Sequence, residues 1–156
     1  MEFNIFLTLI FLFFIGIASL IDLFTLHVPD LISYSFIILS LITRIGMSIY
    51  YMDASILISS FMAGIVLFMI GWLFYMLRIW GGADSKILTG VGIVFGWNIE
   101  LFVYLFIFAI VSLLWKTVIV LLSSVFNLFN KKKSRTLFVP LVPAFFISFV
   151  ILLIFG

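Results

Sequence analysis

Trp80-Gly81-Gly82-Ala83-Asp84-Ser85-Lys86 sets a carboxylate and an ammonium beside two glycines, in a chain where almost everything on either side could span a membrane. Burying a charge near lipid is costly, so an ionisable residue in such a setting is a functional candidate by default. Glycine also lets the backbone pass where a side chain would forbid it. One carboxylate alone says little. The decisive question is whether a second one reaches the same membrane level.

The surrounding composition fixes the class. Of 156 residues, 67% are hydrophobic and 9% charged, and the mean hydropathy is +1.50. A water-soluble core cannot use that much apolar surface, whereas helical spans of about 20 residues can. Long apolar runs without alternation argue against a transmembrane barrel. The isoelectric point near 9.0 reflects one small basic cluster. With no basic and aromatic surface to read bases, nucleic-acid binding is not expected. There is no cysteine, which removes disulfides, zinc knuckles and thiol catalysis. Met1-Glu2-Phe3-Asn4 lacks the basic start of a signal peptide, so it reads as the opening of a retained first span.

Working outward, the sequence predicts an all-α membrane protein, a bundle of six transmembrane helices forming one domain over 1–156. The spans fall at about 3–21, 31–50, 55–77, 84–97, 100–118 and 136–156. Pro29 suits the first turn of the second span, since it lacks an amide donor. Arg44 can snorkel to that span's far end. The fourth span is short, about 21 Å of helix against a hydrocarbon core of about 30 Å. Its glycines (Gly90, Gly92, Gly96) permit close packing. The apolar stretch from Leu101 to Phe129 is too long for one span and too short for two. The fifth span therefore ends near Lys116, with the remainder along the interface.

Orientation follows from the cations. If Lys131-Lys132-Lys133-Ser134-Arg135 is cytoplasmic, then Arg78, Lys86 and Lys116 share that side and only Arg44 faces away. That bias places the N-terminus outside. Counting spans then puts Asp22 and Asp84 at one level near the cytoplasmic interface, with Glu2, Asp53 and Glu100 opposite.

Two nearby carboxylates cannot both ionise cheaply, so one keeps its proton. The ionised one can then activate water while the other hydrogen-bonds a scissile carbonyl. Such a pair can equally bind an ion in a transport path, or merely cap helices. Capping suits Asp84, in the first turn of its helix. It suits Asp22 poorly, since Asp22 ends a helix, where the macrodipole disfavours a carboxylate.

The motifs themselves resemble a family. Asp22-Leu23 followed by Val28-Pro29-Asp30 resembles the Asp-x6-Pro signature of type IV prepilin peptidases. Gly81-Gly82-Ala83-Asp84-Ser85-Lys86 is similar to their Gly-x-Gly-Asp-x-Lys motif, and Pro140-Leu141-Val142-Pro143 to their C-terminal proline motif. Ala83 stands where the second glycine is usual, as in archaeal preflagellin peptidases. The resemblance implies an intramembrane aspartic endopeptidase with Asp22 and Asp84 as the catalytic pair. Gly81, Gly82, Ala83, Lys86, Pro29, Pro140 and Pro143 would support the site. It further implies no metal or organic cofactor and a location in the cytoplasmic membrane of a bacterium or archaeon. The implied partners are precursors of pilin-like proteins, archaellins or pseudopilins, whose short basic leader is removed. Larger members carry a cysteine-bearing N-terminal extension and also N-methylate their product. Neither feature is in this sequence, so peptidase activity alone is expected. The rival readings are a small ion-coupled transporter and a non-catalytic assembly subunit.

Other residues read more plainly. Asp30 suits the N-terminus of its helix. His27 is the only histidine and, without cysteine, makes a poor metal site. Ser85 and Lys86 are adjacent on a helix and do not face each other, which rules out a Ser–Lys pair. Lys86 is expected to hold the Asp84 loop or to contact lipid phosphate. Ala18 and Ser19 share the face of Asp22 and would let another helix approach.

Overall fold

The computed structural model describes residues 5–129 and 140–155. They form six helices: α1 (Ile5–Thr25), α2 (Asp30–Tyr50), α3 (Ala54–Met76), α4 (Gly82–Phe95), α5 (Ile99–Phe129) and α6 (Val142–Phe155). No strand occurs among the described residues. α1, α2, α3 and α5 over Ile99–Leu122 are long and apolar enough to cross a membrane. α4 and α6 have 14 residues each, about 21 Å of helix.

α4 is the centre. From Ile87 to Phe95 only Thr89 is not buried, so the helix is enclosed on all sides. A helix apolar all round belongs inside a structure. Against α3 the contact is backbone to backbone. A Cβ on Gly71 would lie 2.9 Å from Ser85 Cα, and one on Gly92 would lie 2.7 Å from the Ala63 carbonyl oxygen. The Ser85 hydroxyl donates to the Gly71 carbonyl at 2.7 Å, which locks the register.

The far end of α4 is capped by other helices. Arg44 of α2 donates to the Ile93 carbonyl at 3.1 Å and to that of Val94. The chain turns at Gly96 with φ +68°, and the Trp97 amide donates to the Ser59 hydroxyl of α3 at 2.6 Å. A cation at a helix C-terminus meets orphan carbonyls and a favourable dipole. Arg44 therefore turns inward to α4 instead of snorkelling along its own helix.

α1, α5 and α6 pack through rings. Phe11 stacks on Phe149 at 3.8 Å between centroids and Phe108 on Phe145 at 4.1 Å. The Tyr104 hydroxyl donates to the Phe145 carbonyl at 3.0 Å. Phe11 also meets Phe36 and Phe95 edge-on, which joins this half to the α4 half.

Helix ends need not coincide with the expected span ends. α1 runs past Asp22 to Thr25, because nothing breaks it until Leu26 takes a φ of 54° and donates its amide to the Asp22 carbonyl at 2.9 Å. α5 is one helix of 31 residues that continues past Lys116. It contains neither glycine nor proline to end it. α6 begins at Val142. The earlier start expected for it, the basic cluster Lys131 to Arg135 and Glu2 lie outside the described residues.

Candidate active site

A cavity of about 880 Å³ opens at the end of the bundle where α1 and α3 finish and α2, α4 and α6 begin. Asp22 and Asp84 both line it. Asp22 gets there by helical periodicity. Leu7, Phe11, Ile15 and Ala18 form the buried stripe of α1, and Asp22 is the next position on that stripe. It is buried, and its Oδ2 accepts the Val142 amide at 3.1 Å. The Leu141 amide faces it as well. Asp84 stands at the third position of α4 and its Oδ2 accepts the Gly81 amide at 2.9 Å. The two carboxylates are near enough for their charges to interact, and the Lys116 charge also acts on Asp84.

Each carboxylate thus sits at a helix N-terminus, where unpaired amides and the dipole favour negative charge. For Asp84 the helix is its own. For Asp22 it is α6, which removes the objection drawn from the end of α1. A carboxylate that ends one helix can face the N-terminus of another, whose dipole then favours it.

The expected supporting residues divide. Gly81, Gly82, Ala83, Lys86 and Pro140 line the cavity, whereas Pro29 and Pro143 do not. Pro29 precedes the first turn of α2, and Pro143 is buried in the first turn of α6. Gly81 has φ −76° and ψ 160°, a conformation open to any residue. A Cβ there would approach Asp84 Oδ2 to 3.3 Å, so room beside the carboxylate is what the glycine supplies. Lys86 Nζ pairs with Asp30 Oδ1 at 2.6 Å and lies 4.7 Å from the centre of the Tyr34 ring. It ties the start of α4 to the start of α2.

Sequence reasoning missed five residues of the site. The amides of Leu141 and Val142 carry no side-chain signal at all. Tyr75 and Arg78, at the end of α3, line the cavity. Lys116, which also lines it, was read only as a topology marker. A single cation in an apolar run from Leu101 to Phe129 was the available signal. Its neighbour Trp115 donates from Nε1 to the Pro140 carbonyl at 2.7 Å, which fixes α5 to the segment before α6.

Chemically, two carboxylates from different helices that line one open cavity, one ionised and one protonated, can act together on a water molecule. A model of the type IV leader peptidase family matches residues 9–156, a range that contains both aspartates and the start of α6. No curated protein and no solved structure matches the chain.

Proposed function

The chain belongs to the type IV leader peptidase family, and from that premise we propose that Asp22 and Asp84 are its catalytic pair. A multi-pass membrane peptidase is the coarse reading. The finer one is an intramembrane aspartic endopeptidase that removes the basic leader of pilin-like, archaellin or pseudopilin precursors at the cytoplasmic face. The single observation that carries it is that carboxylates on α1 and α4 face one cavity at one end of the bundle.

The chemistry balances with these two groups. One carboxylate takes a proton from water as the water oxygen bonds to the scissile carbonyl carbon. The other, initially protonated, gives its proton to the carbonyl oxygen, and a gem-diol forms. The first then protonates the amide nitrogen as the C–N bond breaks. A diol hydroxyl returns its proton to the second, which restores the starting state.

The six helices act as one domain over 1–156 and all six cross. Because α4 starts at the cavity and reaches only about 21 Å before the turn at Gly96, the cavity floor lies about 9 Å inside a hydrocarbon layer of about 30 Å. A substrate helix can rest in lipid with its leader junction at that depth. Arg78, Lys86 and Lys116 at the cavity end, against Arg44 at the other end of α4, support the cytoplasmic assignment. Cysteines at positions 134 and 53 should label from opposite sides. Labelling from one side would remove the orientation.

Two observations favour a second reading, in which both carboxylates only cap helices: the Val142–Asp22 and Gly81–Asp84 bonds. Purified protein in detergent, mixed with a model pilin precursor, separates the readings. Cleavage without N-methylation supports the peptidase. A folded protein that never cleaves supports capping or an ion-binding role.

A further inference from the structure

One turn of α5 touches both halves of the site. Trp115 holds the Pro140 carbonyl at 2.7 Å, next to the Leu141 and Val142 amides that face Asp22. Lys116, the next residue, is half-buried and lines the cavity with the two aspartates. It is the only charged residue of α5 after Glu100 in the first turn. Holding a cation in a helix this apolar is costly unless something nearby compensates.

We propose that Lys116 is a positioning residue for the carboxylate pair: its ammonium offsets the single negative charge that the pair must keep in order to activate water. This rests on the aspartic reading given above. The other titratable or charged groups around the pair are His27 between α1 and α2, Asp30 on α2, Tyr75 and Arg78 at the end of α3, and Lys86 on α4. Lys86 is engaged by Asp30. Arg78 lies in the exposed turn after α3. Lys116 lines the cavity from α5 beside both aspartates, so the α5 cation is the one opposed to the pair's own repulsion. The Trp115 bond holds it at a fixed height.

The absence of cysteine from the chain allows a chemical test. In Lys116→Cys the thiolate can displace bromide from 2-bromoethylamine, which restores an ammonium on a side chain of nearly lysine length. Iodoacetamide gives a neutral adduct instead. Lys116→Cys should cleave a model precursor about tenfold more slowly or worse at neutral pH. The acidic limb of its pH–rate profile should move up by about one unit, since the pair ionises less readily without the cation. Aminoethylation should return both rate and profile, carbamidomethylation neither, and Lys116→Arg should stay close to wild type. A merely structural role would leave the limb where it is. The proposal is overturned if the unmodified variant keeps the wild-type profile. It is equally overturned if both adducts restore activity, or if neither does and Lys116→Arg is inactive too. Failure of the aspartic reading looks different: the wild-type protein itself would not cleave, or would cleave without its aspartates.

Discussion

Asp84 and Asp22 are carried by two halves of the bundle that pack by different rules. α4 meets α3 backbone to backbone, with Gly71 on Ser85 and Gly92 on Ala63, and hydrogen bonds fix it at both ends. α1 meets α6 through the Phe11–Phe149 stack, and α6 meets α5 through Phe145 and Phe108. Backbone contacts allow almost no adjustment, because no side chain can rotate out of the way. Ring pairs contribute about 1 kcal/mol each beyond the area they bury, and a smaller side chain can take the place of one. The difference is in what holds each carboxylate's helix: backbone in direct contact with backbone for Asp84, and interlocked rings for Asp22. The Val142 amide on Asp22 ties α6 to the site.

The contrast can be broken most strongly at the glycines. Gly92→Val would drive a side chain into the Ala63 carbonyl, and overpacking against backbone should cost about 3 kcal/mol or more. Folded yield and cleavage should fall together, measured by size-exclusion chromatography and precursor processing. Phe149→Leu in the other half should cost about 1 kcal/mol, lower the melting temperature modestly and leave cleavage largely intact. Equal damage from the two would erase the distinction.

Smaller effects sharpen it. Asp30→Asn removes the ion pair with Lys86, and Asp30 is 66% exposed. Exposed pairs contribute about 1 kcal/mol at most, so cleavage should fall less than about fivefold. The smallest effect belongs to Asp53, which caps α3 by accepting the Ser55 amide at 2.8 Å, far from the site. The Ser55 hydroxyl and amide hold its carboxyl below the usual carboxylate range. Its contribution to stability is therefore present above the ordinary carboxylate pKa and lost as pH falls through the lowered value. Asp53→Ala should slightly lower the melting temperature at neutral pH and make no difference in strong acid, while cleavage stays unchanged.

How much of this was legible in the sequence differs by kind of information. Apolar length marked the long helices, and span counting placed Asp22 and Asp84 at one end. The shortness and glycines of α4 announced close packing. The partners did not show. That Asp22 receives amides from α6, that Arg44 turns to the end of α4 and that Lys86 pairs with Asp30 are contacts between separate helices. A sequence marks which face of a helix is special, but not what stands opposite it. That α5 continues as one helix past Lys116 fits its lack of glycine and proline, which is a different kind of signal from length measured against a bilayer.

The central claim is that Asp22 and Asp84 perform the cleavage and do not merely cap helices. The cleanest measurement is the single-turnover cleavage rate of a model precursor by Asp22→Asn, Asp84→Asn and the double variant, each purified and shown to be folded. Asparagine keeps an oxygen that can still accept the Val142 or Gly81 amide, so a capping role survives the change and a proton-transfer role does not. Each single variant should lose several orders of magnitude, and the double variant should be little worse than either, because the two groups act as one unit. If either single variant cleaves at the wild-type rate, Asp22 and Asp84 are not the catalytic pair.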